Sequence, residues 1–181
     1  TRKKGSIGTL NFYYNAMLVD EKFNEVPDGE VGELVLSGPT VTPGYWKNEE
    51  ETRKAIENGW FHTGDLMKKD KEGYFFVVDR IKNMYISGGE NVYPAEVEHV
   101  IRSHSHVSEA AIVGVPDEKW GEAGKAFVVL KAGKKLTKDE LQQHCKERIA
   151  KYKVPKYVEF LDELPKNDAG KIDRKKLREI Q

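Results

Sequence analysis

The chain has 181 residues with 38% hydrophobic content, enough for one ordinary domain or two small ones. Thirty basic and thirty acidic side chains cancel, so no overall cationic field favours nucleic acid as a partner. The single cysteine, Cys145, excludes an internal disulfide framework and favours a reducing, cytoplasmic location. Because the longest apolar runs are only strand-sized, we expect no transmembrane segment.

The first part of the chain is punctuated by glycine and proline. Short apolar runs alternate with these residues over positions 7–38, a pattern that predicts a small, strongly bent β-sheet or barrel. Asn48 with an acidic side chain three places later is typical of a helix start, and Asn58-Gly59 is typical of a stop. We therefore expect a helix over residues 49–57.

A polar patch at residues 79–83 separates a predicted strand at 74–78 from a second one at 84–87, which indicates a joint. Gly88-Gly89 permits a tight turn, and Pro94 is typical of the first turn of a helix. The apolar face of that helix would comprise Val97, Val100 and Ile101.

The rest of the chain mixes strands and helices. Strands are predicted over residues 107–115, 126–130 and 157–161. Thr137 with Glu140 forms a capping-box pattern that opens an amphipathic helix, on which Cys145 is expected in the core. These elements predict a compact α+β domain of about a hundred residues.

Residues 79–98 closely resemble the hinge segment of the acyl-adenylate-forming enzymes, which include acyl-CoA synthetases, nonribosomal adenylation domains and luciferases. Asp79 stands where the family has Gly, and Asn83 where it has Asp. Residues 60–66 resemble the family's Tyr-Arg-Thr-Gly-Asp motif, and residues 164–172 resemble its Pro-Lys-Thr-x-x-Gly-Lys loop.

The resemblance implies an α+β architecture in two parts. Residues 1–79 would be the β-rich end of a large adenylation domain, and residues 80–181 a mobile C-terminal domain with its hinge near Lys82. The family's phosphate loop and acyl pocket lie upstream of such a segment, and the chain lacks an initiating Met. We therefore expect it to be part of a longer protein and to be incomplete for catalysis alone.

The resemblance also implies a nucleotide site. A carboxylate after a Thr-Gly turn can accept hydrogen bonds from the two vicinal hydroxyls of a ribose, so Asp65 is a nucleotide-binding candidate; an ordinary turn residue is the alternative. Arg80 could donate to ribose or phosphate oxygens, unless it forms a salt bridge with Asp79 or a neighbouring acid. Lys82 aligns with the residue about which the family's C-terminal domain rotates.

Two segments resemble the parts of the family that contact CoA. Gly88 and Gly89 match the turn along which the pantetheine arm passes. Trp120, Tyr152 and Lys156 match the region that meets the CoA nucleotide, where an aromatic face could pack on adenine and a lysine could meet a phosphate. Ordinary surface packing of these side chains is the alternative.

Lys171 is the catalytic candidate. A GxxxxGK[ST] phosphate loop is excluded, because Pro165 and Ile172 occupy the positions that need Gly and Ser or Thr. The resemblance to the family's lysine loop, with Asn167 in place of Thr, implies that Lys171 sits between the attacking carboxylate and the α-phosphate of ATP. No metal ligand is predicted in this chain.

These features together imply an ATP-dependent carboxylate-CoA ligase. Its substrates would be a small-molecule carboxylate, ATP and CoA, and Mg²⁺ would assist adenylation through ligands outside this chain. Residues 79–98 look most like those of fatty-acid-CoA ligases, which favours a fatty acid. An aryl-acid-CoA ligase, an amino-acid adenylating domain and a non-catalytic nucleotide- or CoA-binding module remain alternatives.

Overall fold

A computed structural model describes residues 3–180, which form two compact units. One unit ends at Lys82 and the other begins at Asn83. The predicted roles of these parts, an end of a large domain and a mobile domain, stay predictions. Within the described residues no helix is long and apolar enough to span a bilayer.

The first unit is an antiparallel sheet with one short helix. In chain order it contains β1 (Asn15–Val19), β2 (Val31–Ser37), α1 (Glu49–Ala55), β3 (Ile56–Glu57), β4 (Trp60–Lys69) and β5 (Phe75–Arg80). The strand order is β1-β2-β4-β3, and β5 also pairs with β4. Leu18, Met67 and Phe75 form its buried cluster.

The helix predicted over residues 49–57 is shorter than expected. Asn48 caps it as predicted, since its side chain accepts the amide of Glu51, but the helix ends at Ala55. Ile56–Glu57 instead pairs with the start of β4 around Asn58-Gly59, whose φ angles of 50° and 80° are both positive. An Asn-Gly pair with this backbone is the preferred two-residue hairpin turn, and it takes the last two residues into the sheet.

The predicted joint also spans fewer residues than the expected 79–83. Asp79 and Arg80 continue β5 rather than interrupting it, and only Ile81–Asn83 forms a short 3₁₀ turn. The two residues stay in the strand because they pair with Leu66 and Asp65 of β4.

The second unit is a mixed sheet covered by helices. It contains β6 (Tyr85–Ser87), β7 (Glu90–Val92), α2 (Pro94–Arg102), β8 (Val107–Asp117), β9 (Gly121–Leu130), α3 (Lys138–Lys146), β10 (Tyr157–Phe160) and α4 (Arg174–Glu179). The strand order is β10-β9-β6-β7, and β8 pairs with β9. Only the β10–β9 pairing is parallel among those described.

Both faces of the β8–β9 hairpin are buried, which explains the continuous apolar run at residues 110–115. Successive strand residues point to opposite faces, so Ala110 and Ile112 join one cluster while Ala111 and Val113 join the other. The first cluster packs against α2 and α3 and includes Cys145, as predicted. The α+β class predicted from the sequence is confirmed.

Helix starts in this unit follow the prediction, whereas the end of β8 and the start of β9 differ from it, since β9 begins at Gly121 rather than at residue 126. Thr137 and Glu140 make the reciprocal hydrogen bonds of a capping box, and Pro94 is in the first turn of α2. However, β8 continues through Pro116 and Asp117, where a strand end was predicted. Because β8 has β9 as its one partner among the strands of residues 3–180, a proline lacking an N–H is tolerated there.

Candidate functional site

Asp65 and Arg80, the two nucleotide-binding candidates, lie opposite each other on β4 and β5. The Arg80 Nε lies 2.6 Å from Asp65 Oδ1, and Nη2 donates to Oδ2 at 3.4 Å. The guanidinium therefore pairs with Asp65, while the Asp79 carboxylate accepts a hydrogen bond from the backbone amide of Arg80 at 2.7 Å. The pair presents hydrogen-bond acceptors and donors side by side, as recognition of a ribose requires.

The Thr63-Gly64-Asp65 motif is a bulge within β4, so the predicted turn is wrong. Gly64 has a φ of +69°, and the pairing of β2 with β4 shifts register opposite it. A positive φ lets glycine insert an extra residue into a strand, which re-aims the following side chain. The Thr63 hydroxyl fixes the bulge, because it donates to Leu34 O at 2.7 Å and accepts the Asp65 amide at 3.1 Å.

Glu33 supports this bulge from β2, and sequence reasoning missed it. One carboxylate oxygen accepts the Gly64 amide at 2.9 Å, and the other lies 2.8 Å from His62 Nδ1. Glu33 stands in the segment of residues 7–38, for which the sequence indicated a small β-sheet or barrel and no site residue. Its role depends on a strand pairing that joins residues 31 positions apart, so no local pattern could have shown it.

The glycine turn and Trp120, both CoA candidates, are in direct contact. Gly88 and Gly89 have φ angles of 62° and 86° and connect β6 to β7. The Gly88 amide donates to the Trp120 carbonyl at 2.9 Å, and a Cβ at position 88 would lie 2.8 Å from the indole ring. Only glycine allows this approach, and the two segments form one surface with an indole that is 44% exposed.

Asp117 is a second residue that the sequence did not single out. Its Oδ1 accepts the amides of Lys119 and Trp120, at 3.1 and 3.2 Å. Its Oδ2 contacts Lys156 Nζ at 2.5 Å and the Tyr157 hydroxyl at 3.0 Å. The hydrogen bond from Lys156, followed by the other three, lowers the pKa of Asp117 to about 2. Lys156 is thus already paired, and a phosphate would have to share it with this carboxylate.

Tyr152 lies apart from this arrangement. It occupies the short 3₁₀ turn Lys151–Lys153, where the Lys153 ammonium lies 5.7 Å from its ring centroid. Lys153 is held by Glu96 of α2 at 2.7 Å. Within residues 3–180, no hydrogen bond or ring contact joins Tyr152 to Trp120 or Lys156.

Lys171 lies on a short loop that is closed by Asn167. The Asn167 side-chain oxygen accepts hydrogen bonds from the backbone amides of Ala169 and Lys171 at 3.1 and 3.0 Å. The backbone amide of Asn167 donates to the Lys171 carbonyl at 2.8 Å. Gly170 permits the turn with a φ of +73°. The Lys171 side chain is exposed, and no hydrogen bond or ion pair within the described part of the chain engages its ammonium. The loop therefore presents one unneutralised cation.

Two family patterns match the chain: AMP-binding enzyme over residues 1–46 and AMP-binding enzyme C-terminal domain over residues 96–171. The chain belongs to the AMP-binding enzyme family. This confirms the resemblance found in its motifs.

Among curated relatives, a feruloyl-CoA synthase from Amycolatopsis sp is 48% identical over 176 residues, covering 97% of this chain and 36% of that protein. A 2-succinylbenzoate-CoA ligase from Bacillus cereus (strain ZK / E33L) is 50% identical over 155 residues, covering 86% of this chain and 32% of that protein. The chain thus spans about a third of the length of these relatives.

Solved structures show the same likeness. The o-succinylbenzoate CoA synthetase MenE from Bacillus subtilis, in complex with the acyl-adenylate intermediate OSB-AMP, has a TM-score of 0.91 and 40% identity, covering 99% of this chain and 36% of that one. ATP-bound MatB from Rhodopseudomonas palustris has a TM-score of 0.90 and 37% identity, covering 97% of this chain and 35% of that one.

Proposed function

We propose that this chain is the C-terminal part of an ATP-dependent acid-CoA ligase, which acts together with an upstream phosphate loop and acyl pocket. The proposed reaction has two halves. A carboxylate attacks the α-phosphorus of ATP to give an acyl-adenylate and pyrophosphate, and the CoA thiol then displaces AMP to give the thioester. The curated relatives are named as a feruloyl-CoA synthase and a 2-succinylbenzoate-CoA ligase, and one solved neighbour is in complex with an acyl-adenylate, which supports this sequence of steps.

Lys171 carries the proposal for the first half-reaction. Its unneutralised ammonium on a closed loop suits a place between the substrate carboxylate and the α-phosphate, where two anions must approach each other. The Asp65–Arg80 pair would hold the ribose of the same nucleotide. A cation of this kind contributes most when it is aimed at the charge that develops in the transition state.

The second half-reaction would use the surface made by Gly88, Gly89 and Trp120. The glycine turn is open on the side of Gly89, where a Cβ would meet no atom within 4 Å, so a thin pantetheine arm can approach the backbone. The exposed indole can pack on the arm or on adenine. Rotation about Lys82 would exchange this surface for Lys171, as the family resemblance implies.

For the acid, we infer an aromatic carboxylate rather than the fatty acid favoured by residues 79–98. The fatty-acid prediction is not confirmed, because the relatives are named for feruloyl and 2-succinylbenzoate groups, and a further neighbour is the anthranilate CoA ligase AuaEII in complex with anthranoyl-AMP, with a TM-score of 0.88 and 37% identity. The first acids to test are therefore cinnamate-like and benzoate-like compounds.

Mg²⁺, which would neutralise the pyrophosphate in the proposed reaction, has no evident ligand set here. Among residues 3–180, no group of three or more His, Cys, Asp or Glu side chains could hold a metal ion.

The test is carboxylate-dependent exchange of pyrophosphate into ATP by the longest protein that the source gene encodes. Aromatic acids should support the exchange, and Lys171→Ala should reduce it by a factor of about 10² to 10³, as removal of one preorganised charge donor does. Thioester formation from preformed acyl-adenylate and CoA should persist in this variant, because Lys171 serves only the first half-reaction.

Lys175→Ala is the matched control, since Lys175 is another exposed lysine of the same basic segment. It should leave pyrophosphate exchange unchanged. Exchange with fatty acids but not aromatic acids would reverse the substrate assignment. A folded protein that shows no exchange with any acid, but binds ATP or CoA, would instead support a binding module.

A further inference from the structure

Glu98 is a buried acid that no step of the proposed reaction uses. It lies on α2 with a side chain that is 6% exposed, between two arginines. Arg174 Nη1 lies 2.7 Å from Glu98 Oε1, and Arg102 Nη1 lies 3.4 Å from Oε2. The Arg174 side chain is itself only 19% exposed, so this is the more deeply buried of the two ion pairs.

The same groups also hold the backbone of β8. The Ile112 amide donates to Glu98 Oε1 at 3.0 Å, and Arg174 Nη1 donates to the Ile112 carbonyl at 2.8 Å. Arg102 donates to the Ala110 carbonyl at 3.2 Å. Among the described strands β8 pairs with β9 alone, so its outer backbone groups need other partners, and these side chains supply them. Glu98 thereby joins α2, β8 and the start of α4.

Arg174 connects this buried centre to the Lys171 loop. It is the first residue of α4 and stands three positions after Lys171. Asp173, which caps α4, donates its amide to Pro165 O at 2.8 Å and so closes the base of the loop. A guanidinium fixed at 2.7 Å from a buried carboxylate therefore sets the direction in which the chain leaves the loop.

We propose that the Glu98–Arg174 ion pair is a positioning device that holds the Lys171 loop in the geometry needed for adenylation. The inference rests on the proposed function. Removing one partner of a buried ion pair leaves the other charge uncompensated. Without Glu98, Arg174 would turn toward solvent, and the residues between Lys171 and Arg174 would no longer be held in place. Displacement of a reacting group by about 1 Å is enough to lower a rate by about a hundredfold.

A role in overall stability alone predicts something different. If Glu98 only joined α2 to β8, its loss would affect both half-reactions equally. A positioning role predicts that the loop moves while the hairpin of β8 and β9 stays protected, and that only the half-reaction that uses Lys171 is impaired.

The experiment compares Glu98→Gln with wild type in the longest protein that the gene encodes. The amide side chain keeps the size of Glu98 and an oxygen for the Ile112 amide, but it removes the charge that holds Arg174. Hydrogen-deuterium exchange of residues 165–173 is measured by mass spectrometry beside that of residues 107–130. Pyrophosphate exchange and thioester formation from preformed acyl-adenylate are measured in the same preparations.

In Glu98→Gln, the loop amides should exchange with deuterium about tenfold faster, while residues 107–130 keep their protection. Pyrophosphate exchange should fall by about a hundredfold, and thioester formation should stay within about twofold of wild type. Glu159→Gln is the matched control: it breaks the Lys125–Glu159 ion pair of 2.8 Å in the same unit and should change neither the loop nor the ratio of the half-reactions.

Arg174→Lys is the second variant, to be used also if Glu98→Gln does not fold. It keeps a cation near Glu98 but loses the guanidinium fork, so an intermediate loss of pyrophosphate exchange is expected. Unchanged deuterium uptake of the loop, or an equal fall in both half-reactions, would overturn the positioning role in an active enzyme. If the wild-type protein shows no pyrophosphate exchange, the proposed ligase function is overturned instead. Deuterium uptake of residues 165–173 would still show whether Glu98 anchors the loop.

Discussion

Asp117 joins three segments of the second unit through one carboxylate. It binds the amides at the tip of the β8–β9 hairpin, the Lys156 ammonium and the Tyr157 hydroxyl. Its side chain is 1% exposed, yet all of these contacts favour the charged form. The exposed indole of Trp120 owes its orientation to this buried charge, because the backbone that carries it is fixed by the carboxylate.

Because its pKa is lowered by folding, the stabilisation that Asp117 gives the folded state depends on pH. Folding lowers the pKa from 3.8 to about 2, so the carboxylate stabilises the fold fully above pH 4 and loses this effect as the pH falls through about 2. We expect Asp117→Asn to lower the free energy of unfolding at pH 7, with a difference from wild type that shrinks steadily below pH 4. Urea unfolding of both chains at a series of pH values measures this difference.

Asp162→Asn serves as the control for this pH series, since Asp162 is exposed and makes no hydrogen bond within the described residues. Its difference from wild type should be small at every pH. A difference for Asp117→Asn that stayed constant down to pH 2 would contradict the assigned ion pair.

The sequence identified the exposed parts of this arrangement but not its centre. Trp120 and Lys156 carry chemical types that bind nucleotides, and a family resemblance locates them. Asp117 follows a proline, and a Pro-Asp pair is typical of a turn, so the pattern indicated only the end of a strand. Its four partners come together only in the tertiary structure, 2 to 40 positions away along the chain.

At the level of elements, β6 packs its first residue into a slot in the β8–β9 hairpin. Gly114 and Gly124 are directly paired in that hairpin, and a Cβ on either would collide with the Tyr85 side chain. Two opposed glycines therefore create room for the aromatic ring, which is 3% exposed. Burial raises the pKa of the Tyr85 hydroxyl, and this oxygen has no hydrogen-bond partner among the described residues.

This orphaned hydroxyl leads to a prediction about stability. An unsatisfied buried polar group costs about 1 to 3 kcal/mol, so Tyr85→Phe should leave the chain equally stable or more stable by about 1 kcal/mol. Tyr157→Phe is the matched comparison, because the Tyr157 hydroxyl donates to Asp117 at 3.0 Å and its loss should lower stability by about 1 kcal/mol. Denaturant unfolding of the two variants beside wild type measures both effects.

A loss of stability in Tyr85→Phe as large as that in Tyr157→Phe would show that the Tyr85 hydroxyl has a partner. Equal losses of stability in the two variants would indicate a hydrogen-bonded Tyr85 hydroxyl, and changes of opposite sign would indicate an unsatisfied one.

Helix starts were predictable from the sequence, whereas the ends of α1 and β8 were not. Asn48, Pro94 and Thr137 act within three or four residues of themselves, through a side-chain hydrogen bond or a fixed φ angle. The ends of α1 and β8 depend instead on pairing with another strand, at Glu57 and Pro116. Local sequence determines the caps that start helices, but it determines only in part where a helix or strand ends by pairing with another strand.

For the whole molecule, the boundary between the two units lies between Lys82 and Asn83, within a three-residue turn. Proline at position 82 would fix φ near −65° and remove a backbone N–H. If the two half-reactions need different backbone angles at this residue, Lys82→Pro should impair one of them at least about tenfold more than the other. Pyrophosphate exchange and thioester formation, assayed separately in the longest encoded protein, give the ratio.

Lys82→Ala is the control for this prediction, because it removes the side chain while leaving the backbone free to rotate. It should keep the ratio of the two half-reactions near that of wild type. Equal impairment of both half-reactions by Lys82→Pro would argue against a hinge at this residue.

The identity of the acid is the part of the sequence prediction that is not confirmed. Residues 79–98 indicated a fatty acid, whereas the relatives are named for feruloyl and 2-succinylbenzoate groups. The reason is physical: in the proposed reaction the motifs that resemble the family would serve the nucleotide, the catalytic lysine and the hinge, and none of them would need to contact the acyl chain. Such motifs indicate a reaction and leave its carboxylate open.

The Asp117 carboxylate also bears on the order in which the second unit matures. Its strongest partner, Lys156, follows 39 positions later in the chain. A nascent polypeptide that has emerged only as far as β9 would have to bury this charge without its counterion, which is unfavourable. The hairpin tip that carries Trp120 is therefore expected to become rigid only after β10 has emerged from the ribosome, so this surface would be finished late in synthesis.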